Sequence, residues 1–332
     1  MRSESRRSAG SNPPEHSRNG EDQQAIGERP DATSVDWSSG AAHIDGAIMP
    51  LREAKIPVTD WGYRRSDVTY DVVGVYFGAF FRLEDHLHRF RASMDKLRLK
   101  PPESDREIAG ILADLVRRAG LREAYVAMDC LRGRPPAGAP YHPAYSRNYL
   151  LCFALPWVWV FSPEQQERGV HAIIAETRRI PPESVDPTAK NFHWADLTRA
   201  NFEAHDQGAE TAILLDLAGF VTEGPGFNVF TVIDGVVASP PRGVLEGITR
   251  LSVFELCEAL GIPTQTRPIS RAEIEGADEI FFSTTAGGIM PVSRLGSRIL
   301  GNDRPGPISS RLRKAYWDKR REGWHATPID YD

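Results

Sequence analysis

The amino-acid sequence predicts a two-domain protein of mixed α/β (α+β) class, and three observations carry that expectation. The first is size. The chain has 332 residues, 41% hydrophobic and 9% aromatic, and domains of roughly 150 residues each are the ordinary way to divide such a length. The second is patterning: short apolar runs with glycine or aspartate turns alternate with longer runs whose apolar residues recur every three or four positions. The third is an interruption near the middle, Pro156-Trp157-Val158-Trp159-Val160 followed by Ser162-Pro163, whose fixed proline φ angles read as a stiff crossing. The expected boundaries are a polar, disordered tail over residues 1–40, a small α/β domain over 41–155, a connection over 156–168 and a larger domain over 169–332.

The tail is rich in serine, glycine and proline without apolar periodicity. Arg2, Arg6 and Arg7 are basic, but Glu4, Glu15, Glu21, Asp22 and Glu28 oppose a transit peptide, which is poor in acids. Short strands then begin around His43–Ile48, and Val72–Phe77 with Ala79–Arg82 read as a hairpin about Gly78. In Glu84–Leu97 the residues Leu87, Phe90, Met94 and Leu97 share a helical face. Ser104 and Glu107 form a capping box before the stripe Ile108, Ile111, Leu112, Leu115 and Val116, which Gly120 closes. Two strands, Ala124–Leu131 and Tyr149–Leu155, flank the loop Arg132–Gly138.

Beyond the crossing, Val170–Glu176 reads as a strand, and a helix runs from about Ala195 to Gln207, ended by Gly208. Thr211–Leu215 is an apolar strand, and Phe227–Ile233 pairs with Val236–Ala238 through the hairpin turn Asp234-Gly235. Gly247-Ile248-Thr249 opens a helix with Leu251, Phe254, Cys257 and Leu260 on its expected buried face. The strand Glu279–Phe282 leads into Ser283-Thr284-Thr285-Ala286-Gly287-Gly288.

Composition excludes several classes of function. A net charge of -5, without a basic stripe interleaved with aromatics, argues against nucleic acid. No apolar run approaches the roughly 18 residues that span a bilayer. The three cysteines are odd in number and form no CxxC pair, so they read as buried thiols in a reducing, cytoplasmic setting. The nine histidines include no HExxH arrangement, and no metal is expected.

The chemistry concentrates on Val185–Trp194. The chain has 34 arginines and 6 lysines, and Lys190 is the only lysine in the 213 residues from Pro101 to Arg313. A guanidinium stays protonated, whereas a desolvated lysine can lose its proton and act as a nucleophile. Glu223 sits between glycines in Thr222-Glu223-Gly224-Pro225-Gly226, where the backbone can approach something flat or crowded. Gly247-Ile248-Thr249 and Ser283–Gly288 both read as anion cradles, one a helix N-terminus and the other a hydroxyl-rich turn. With Arg89 on an early helix, these are the parts needed to hold pyridoxal 5'-phosphate: a lysine for its aldehyde, an acid for its pyridine nitrogen and cradles for its phosphate.

At these residues the sequence resembles the fold-type IV pyridoxal-phosphate aminotransferases, which include branched-chain and D-amino-acid aminotransferases and aminodeoxychorismate lyase. The resemblance rests on Lys190 in AKNFHWADL, Glu223 in TEGPGFNVF, Thr249 in LEGITR, Thr285 in STTAGG and Arg89 in FRLEDHLHRF. The wording of SDVTYDV, RRIPPESVDPTAKNFHW, TTAGGIMPV and PGPIS is most similar to that of (R)-selective amine:pyruvate transaminases. The resemblance implies a cofactor-binding larger domain, Lys190 as Schiff-base lysine and proton carrier, Glu223 as partner of the pyridine nitrogen, and Arg89, Ile248, Thr249, Thr284 and Thr285 as phosphate holders. It further implies a substrate pocket of Tyr70, Tyr125, Phe192 and Trp194, and a homodimer acting on a small-molecule amine and a keto acid. Ala127 departs from the glutamate or serine of the amine transaminases and the arginine of the branched-chain enzymes, and Pro225 stands where serine or alanine is usual. The related transaminases carry a mobile loop arginine for the keto-acid carboxylate; here Arg134 is the nearest candidate. The alternatives are a D-amino-acid or branched-chain aminotransferase and a catalytically silent dimeric binding protein on the same fold.

Overall fold

The computed structural model describes residues 36–332, so most of the tail expected over 1–40 lies outside the described residues. Two sheets organise the rest. The first has seven strands in the order Ala326–Pro328, Ala79–Phe81, Val68–Tyr76, Ala124–Leu131, Tyr149–Pro156, Ala41–Ile44 and Ala47–Pro50, and every pairing is antiparallel. The second is a mixed sheet that runs Thr264–Thr266, Val236–Ser239, Phe227–Ile233, Glu279–Thr284, Gly288–Leu295, Val170–Arg178 and Thr211–Leu215, with two short side strands.

Strand alternation decides what each face of the first sheet can do. Val73, Val75, Val126, Met128, Cys130, Leu150 and Cys152 point to one face and are covered by the helices Leu83–Leu97 and Asp105–Arg118 through Phe90, Met94, Ile108, Leu112 and Leu115. The Ser104–Glu107 capping box is present at the start of the second helix. Tyr70, Val72 and Tyr125 leave from the other face and line a cavity against the second sheet. The second sheet is covered on one side by the helices Ile248–Ala259 and Pro307–Arg321, through Val253, Leu256, Leu312 and Tyr316. No helix among the described residues is long and apolar enough to cross a membrane. All three cysteines are buried free thiols.

The expected strands Ala124–Leu131, Thr211–Leu215 and Phe227–Ile233 are present with those bounds. The buried face of Ile248–Ala259 differs from the expected one. Val253, Leu256 and Cys257 are buried, while Leu251 is 42% exposed. The segment is apolar over much of its circumference, so two stripes about 100° apart fit it almost equally well. The choice falls to the end that must turn Ile248, Thr249 and Ser252 inward. The helix Pro307–Arg321 carries few apolar residues among its arginines and lysines, too few for a clear periodic signal. Its N-terminus is fixed instead by Glu279, whose carboxylate accepts from Ile308 N at 2.9 Å, Ser309 N at 2.8 Å and Ser309 Oγ at 2.7 Å.

Gly288 couples that helix to the second sheet. Its φ is +71°, and a Cβ there would lie 2.8 Å from Tyr316 Cε1 and 3.1 Å from Trp317 Cζ2. Gly235 has a similar φ of +76° with nothing within 4 Å. Both Gly→Ala changes carry the left-handed backbone cost of about 1 kcal/mol, and Gly288→Ala adds crowding against the buried Tyr316 ring and the partly buried Trp317 ring. The midpoint of urea unfolding is therefore expected to fall in both variants and clearly further in Gly288→Ala. Equal midpoints would show that the rings move aside freely.

Candidate active site

Lys190 lies on an irregular segment between the Val170–Arg178 strand and the Ala195–Asp206 helix, and local bonds shape that segment. Asp186 Oδ1 accepts from Thr188 N at 2.9 Å, and Asn191 Oδ1 accepts from His193 N at 2.9 Å. The segment is then docked onto the first sheet. Lys190 O accepts from Thr69 Oγ1 at 2.6 Å and from Tyr70 N at 3.2 Å, while Lys190 N donates to Ser93 Oγ at 3.2 Å. The lysine backbone is thus held by a strand and a helix roughly 100 residues earlier in the chain. Its Nζ lies 4.2 Å from the centroid of the Tyr70 ring. The cavity, of about 300 Å³, is lined by Lys190 together with Tyr70, Tyr125, Trp194, Glu223 and Arg89.

Electrostatics favour a neutral amine. Burial, with the positive Arg89 nearby, lowers the Lys190 pKa to about 8, against the opposing pull of Asp71 and Glu223. Arg89 is itself fixed by a bidentate pair to buried Asp71, Nε to Oδ2 and Nη2 to Oδ1, both at 2.8 Å. His86 Nδ1 lies 2.7 Å from Asp71 Oδ1. A carboxylate only accepts, so the proton must sit on Nδ1. Burial raises the cost of charge on Asp71, but Arg89 and His86 more than offset it and hold the carboxyl well below the ordinary range. Burial pushes His86 down, toward the neutral ring.

Glu223 is buried, and both its oxygens have partners. Oε1 accepts from Arg179 Nε at 3.1 Å and Oε2 from Leu245 N at 2.9 Å. Burial raises its carboxyl above the usual range in spite of those partners. Arg179 also donates to Asp196 Oδ2 at 2.6 Å. The loop before the helix Ile248–Ala259 is threaded among these groups: Leu245 O accepts from Asn228 Nδ2 at 2.8 Å, and Glu246 O from Arg89 Nη1 at 3.1 Å. This brings the helix N-terminus, which no side chain caps, to the cavity. Thr284 and Thr285 reach it from the turn joining Glu279–Thr284 to Gly288–Leu295, where Thr284 pairs with Gly288. Next to them Ser283 lines the cavity, and its buried Oγ has no partner.

The structure therefore brings together Tyr70, Arg89, Tyr125, Lys190, Trp194, Glu223, Ile248, Thr249, Thr284 and Thr285. It does not bring two other candidates to the cavity lining. Arg134 is exposed on its loop, and Phe192 is 42% exposed, meeting the Tyr70 ring edge-on at 4.9 Å between centroids. Sequence reasoning missed Arg179, Asp71 and His86. Arg179 stands in the Arg178-Arg179 pair, and nothing local tells which of the two turns inward.

An amine with a lowered pKa, a buried carboxylate, and an uncapped helix N-terminus beside an unpartnered hydroxyl fit the aldehyde, ring nitrogen and phosphate of pyridoxal phosphate. Residues 69–295 match the amino-transferase class IV family. The chain belongs to the class IV aminotransferases. Among relatives of this aminotransferase, a Methanocaldococcus jannaschii protein provisionally named a branched-chain-amino-acid aminotransferase is 30% identical over 84% of this chain and 96% of its own. The D-alanine aminotransferase of Bacillus licheniformis is 27% identical over 82% of this chain and 94% of its own. Among solved structures, the branched-chain amino acid aminotransferase of Thermobaculum terrenum in its PLP form is similar with a TM-score of 0.79 and 27% identity, covering 89% of this chain and all of that one. The expected fold and cofactor stand. The resemblance to (R)-selective amine transaminases is narrower than the match, since these relatives are named for amino-acid substrates.

Enzymes of this family use pyridoxal phosphate, which supplies an aldehyde to take up the amino group and a ring to accept electrons. The lysine environment is testable without turnover. In protein stripped of cofactor, competitive acylation read by peptide mass spectrometry is expected to show Lys190 becoming reactive with a midpoint of about 8, below the value of about 10.4 of an ordinary lysine. A midpoint at the ordinary value would contradict the desolvated-amine reading.

Proposed function

We propose that this aminotransferase moves an amino group from an (R)-configured primary amine to a keto acid such as pyruvate, in ping-pong order through one pocket. The observation that carries the reading is the state of the guanidiniums in the lining. Arg89 is engaged with Asp71, and Arg179 with Glu223 and Asp196. Arg179 is engaged by two carboxylates, and what Asp71 and the Glu246 carbonyl leave of Arg89 goes to the cofactor phosphate, so neither serves a donor's carboxylate, while Tyr70, Val72, Tyr125 and Trp194 offer apolar or aromatic surface. An unpaired carboxylate would be costly to bury among them. In this reading Lys190 carries the cofactor and moves the proton, Glu223 partners the pyridine nitrogen, and Arg89, Ile248, Thr249, Thr284 and Thr285 hold the phosphate. The acceptor's carboxylate then needs a cation from outside the lining, and Arg134 is the loop candidate. Assembly as a homodimer, carried over from the resemblance, belongs to the same proposal.

A second reading, transfer from a branched-chain or D-amino acid, draws support from the names of the relatives. It needs a cation for the donor carboxylate that the lining does not supply. A donor panel separates the two. With pyruvate as acceptor, (R)-1-phenylethylamine is expected to react at least about tenfold faster in kcat/KM than its (S)-enantiomer, a difference of about 1.4 kcal/mol, and faster than leucine or D-glutamate. Preference for either amino acid would replace the first reading with the second.

A further inference from the structure

Asp129 has no place in the chemistry described so far. It is 8% exposed, and burial alone determines its proton affinity, pushing its carboxyl up to about 8. It stands in cross-strand register with Tyr70, so the two side chains leave the sheet on the same face. Tyr125, two positions before Ala127 on the same strand, shares that face. Both tyrosines line the cavity; burial raises the pKa of each phenol, and Asp129 is among the nearby charges that add to it. Asp129 thus sits one side chain beyond the lining, past Tyr70 from Lys190, and only the methyl of Ala127 separates it from Tyr125 along the strand.

The groups around it do not neutralise it. Tyr70 and Tyr125 flank it, and the half-buried Leu151 is its register partner on the third strand. Cys130, Cys152 and Asp71 belong to the opposite face. The nearest arginine in sequence, Arg132, is paired with Asp67 at 2.9 Å. A carboxyl in such surroundings either stays protonated or receives a cation from a ligand.

We propose that Asp129 is a specificity-determining residue that accepts the distal ammonium of an amino donor, so that the pocket favours diamines over monoamines of the same length. This rests on the amine reading above. The donor's reacting nitrogen lies at Lys190, its chain passes the Tyr70 ring, and its far end meets the Asp129 carboxylate. Ionised Asp129 is the form that binds, so the preference grows as pH rises toward about 8. The distal ammonium stays protonated through that range, like a lysine near about 10.4.

The test uses the holoenzyme with pyruvate and two donors of equal length, cadaverine and pentylamine. The wild type is expected to prefer cadaverine by at least about tenfold in kcat/KM, as a site does when its polar group is left unpaired by the smaller analogue. Asp129→Asn is expected to remove the preference and its pH dependence while leaving pentylamine within about twofold of wild type. Equal rates with both donors in the wild type, or a preference unchanged in Asp129→Asn, would overturn the proposal. So would a changed sedimentation profile of that variant, which would assign Asp129 to an interface between copies. Should only amino acids react, the same ratio is read with lysine against norleucine. Failure of the amine reading and failure of the Asp129 role are then separate results.

Discussion

The site depends on one backbone clamp, the Lys190 carbonyl held by the Thr69 hydroxyl and the Tyr70 amide. An irregular segment has no ladder of its own, and its lysine would otherwise sample many positions. The clamp fixes that segment to the Val68–Tyr76 strand, whose alternation arranges much of what surrounds the amine. Residue 69 binds the lysine carbonyl, residue 70 lays its ring beside the amine, residue 71 turns to the opposite face to fix Arg89, and residue 72 returns to the cavity wall. Four consecutive residues therefore set position, electrostatics and shape together.

A second constraint is charge balance among buried groups. Lys190, Arg89 and Arg179 face Asp71, Glu223 and Asp196, and each arginine is held at more than one point. Removing one partner from such a pair leaves an uncompensated buried charge, which costs far more than the pair itself contributes. The same balance shapes the lysine. Its burial, together with the cation Arg89, outweighs the opposing pull of Asp71 and Glu223, so the amine can be neutral at pH values where an exposed lysine would stay protonated. The loop Leu245–Gly247 joins both constraints, since its backbone meets Glu223, Asn228 and Arg89 and delivers the helix N-terminus to the cavity.

Much of this was legible in the sequence because local chemistry determines it. A solitary lysine in an arginine-biased chain, a glutamate among glycines, a hydroxyl-rich turn and a glycine before an apolar helix each announce themselves within a few residues. So do the capping box at Ser104 and the turn at Asp234-Gly235. What stayed hidden depends on distant parts of the chain. Asp71 reads as one polar residue in a strand until His86 and Arg89 fold over it, and Arg179 cannot be told from Arg178. Ala326–Pro328 joins the first sheet although it is last in the chain, a pairing that no periodicity reveals. Arg134 and Phe192 were drawn from resemblance, and the structure leaves both outside the lining.

The most direct measurement is borohydride reduction of the holoenzyme followed by peptide mapping of the reduced cofactor. A desolvated Lys190 clamped beside Tyr70 predicts a single modified peptide, the one bearing Lys190, with loss of the yellow colour. Modification of Lys96 or another lysine in its place, or bleaching with no lysine modified, would contradict it.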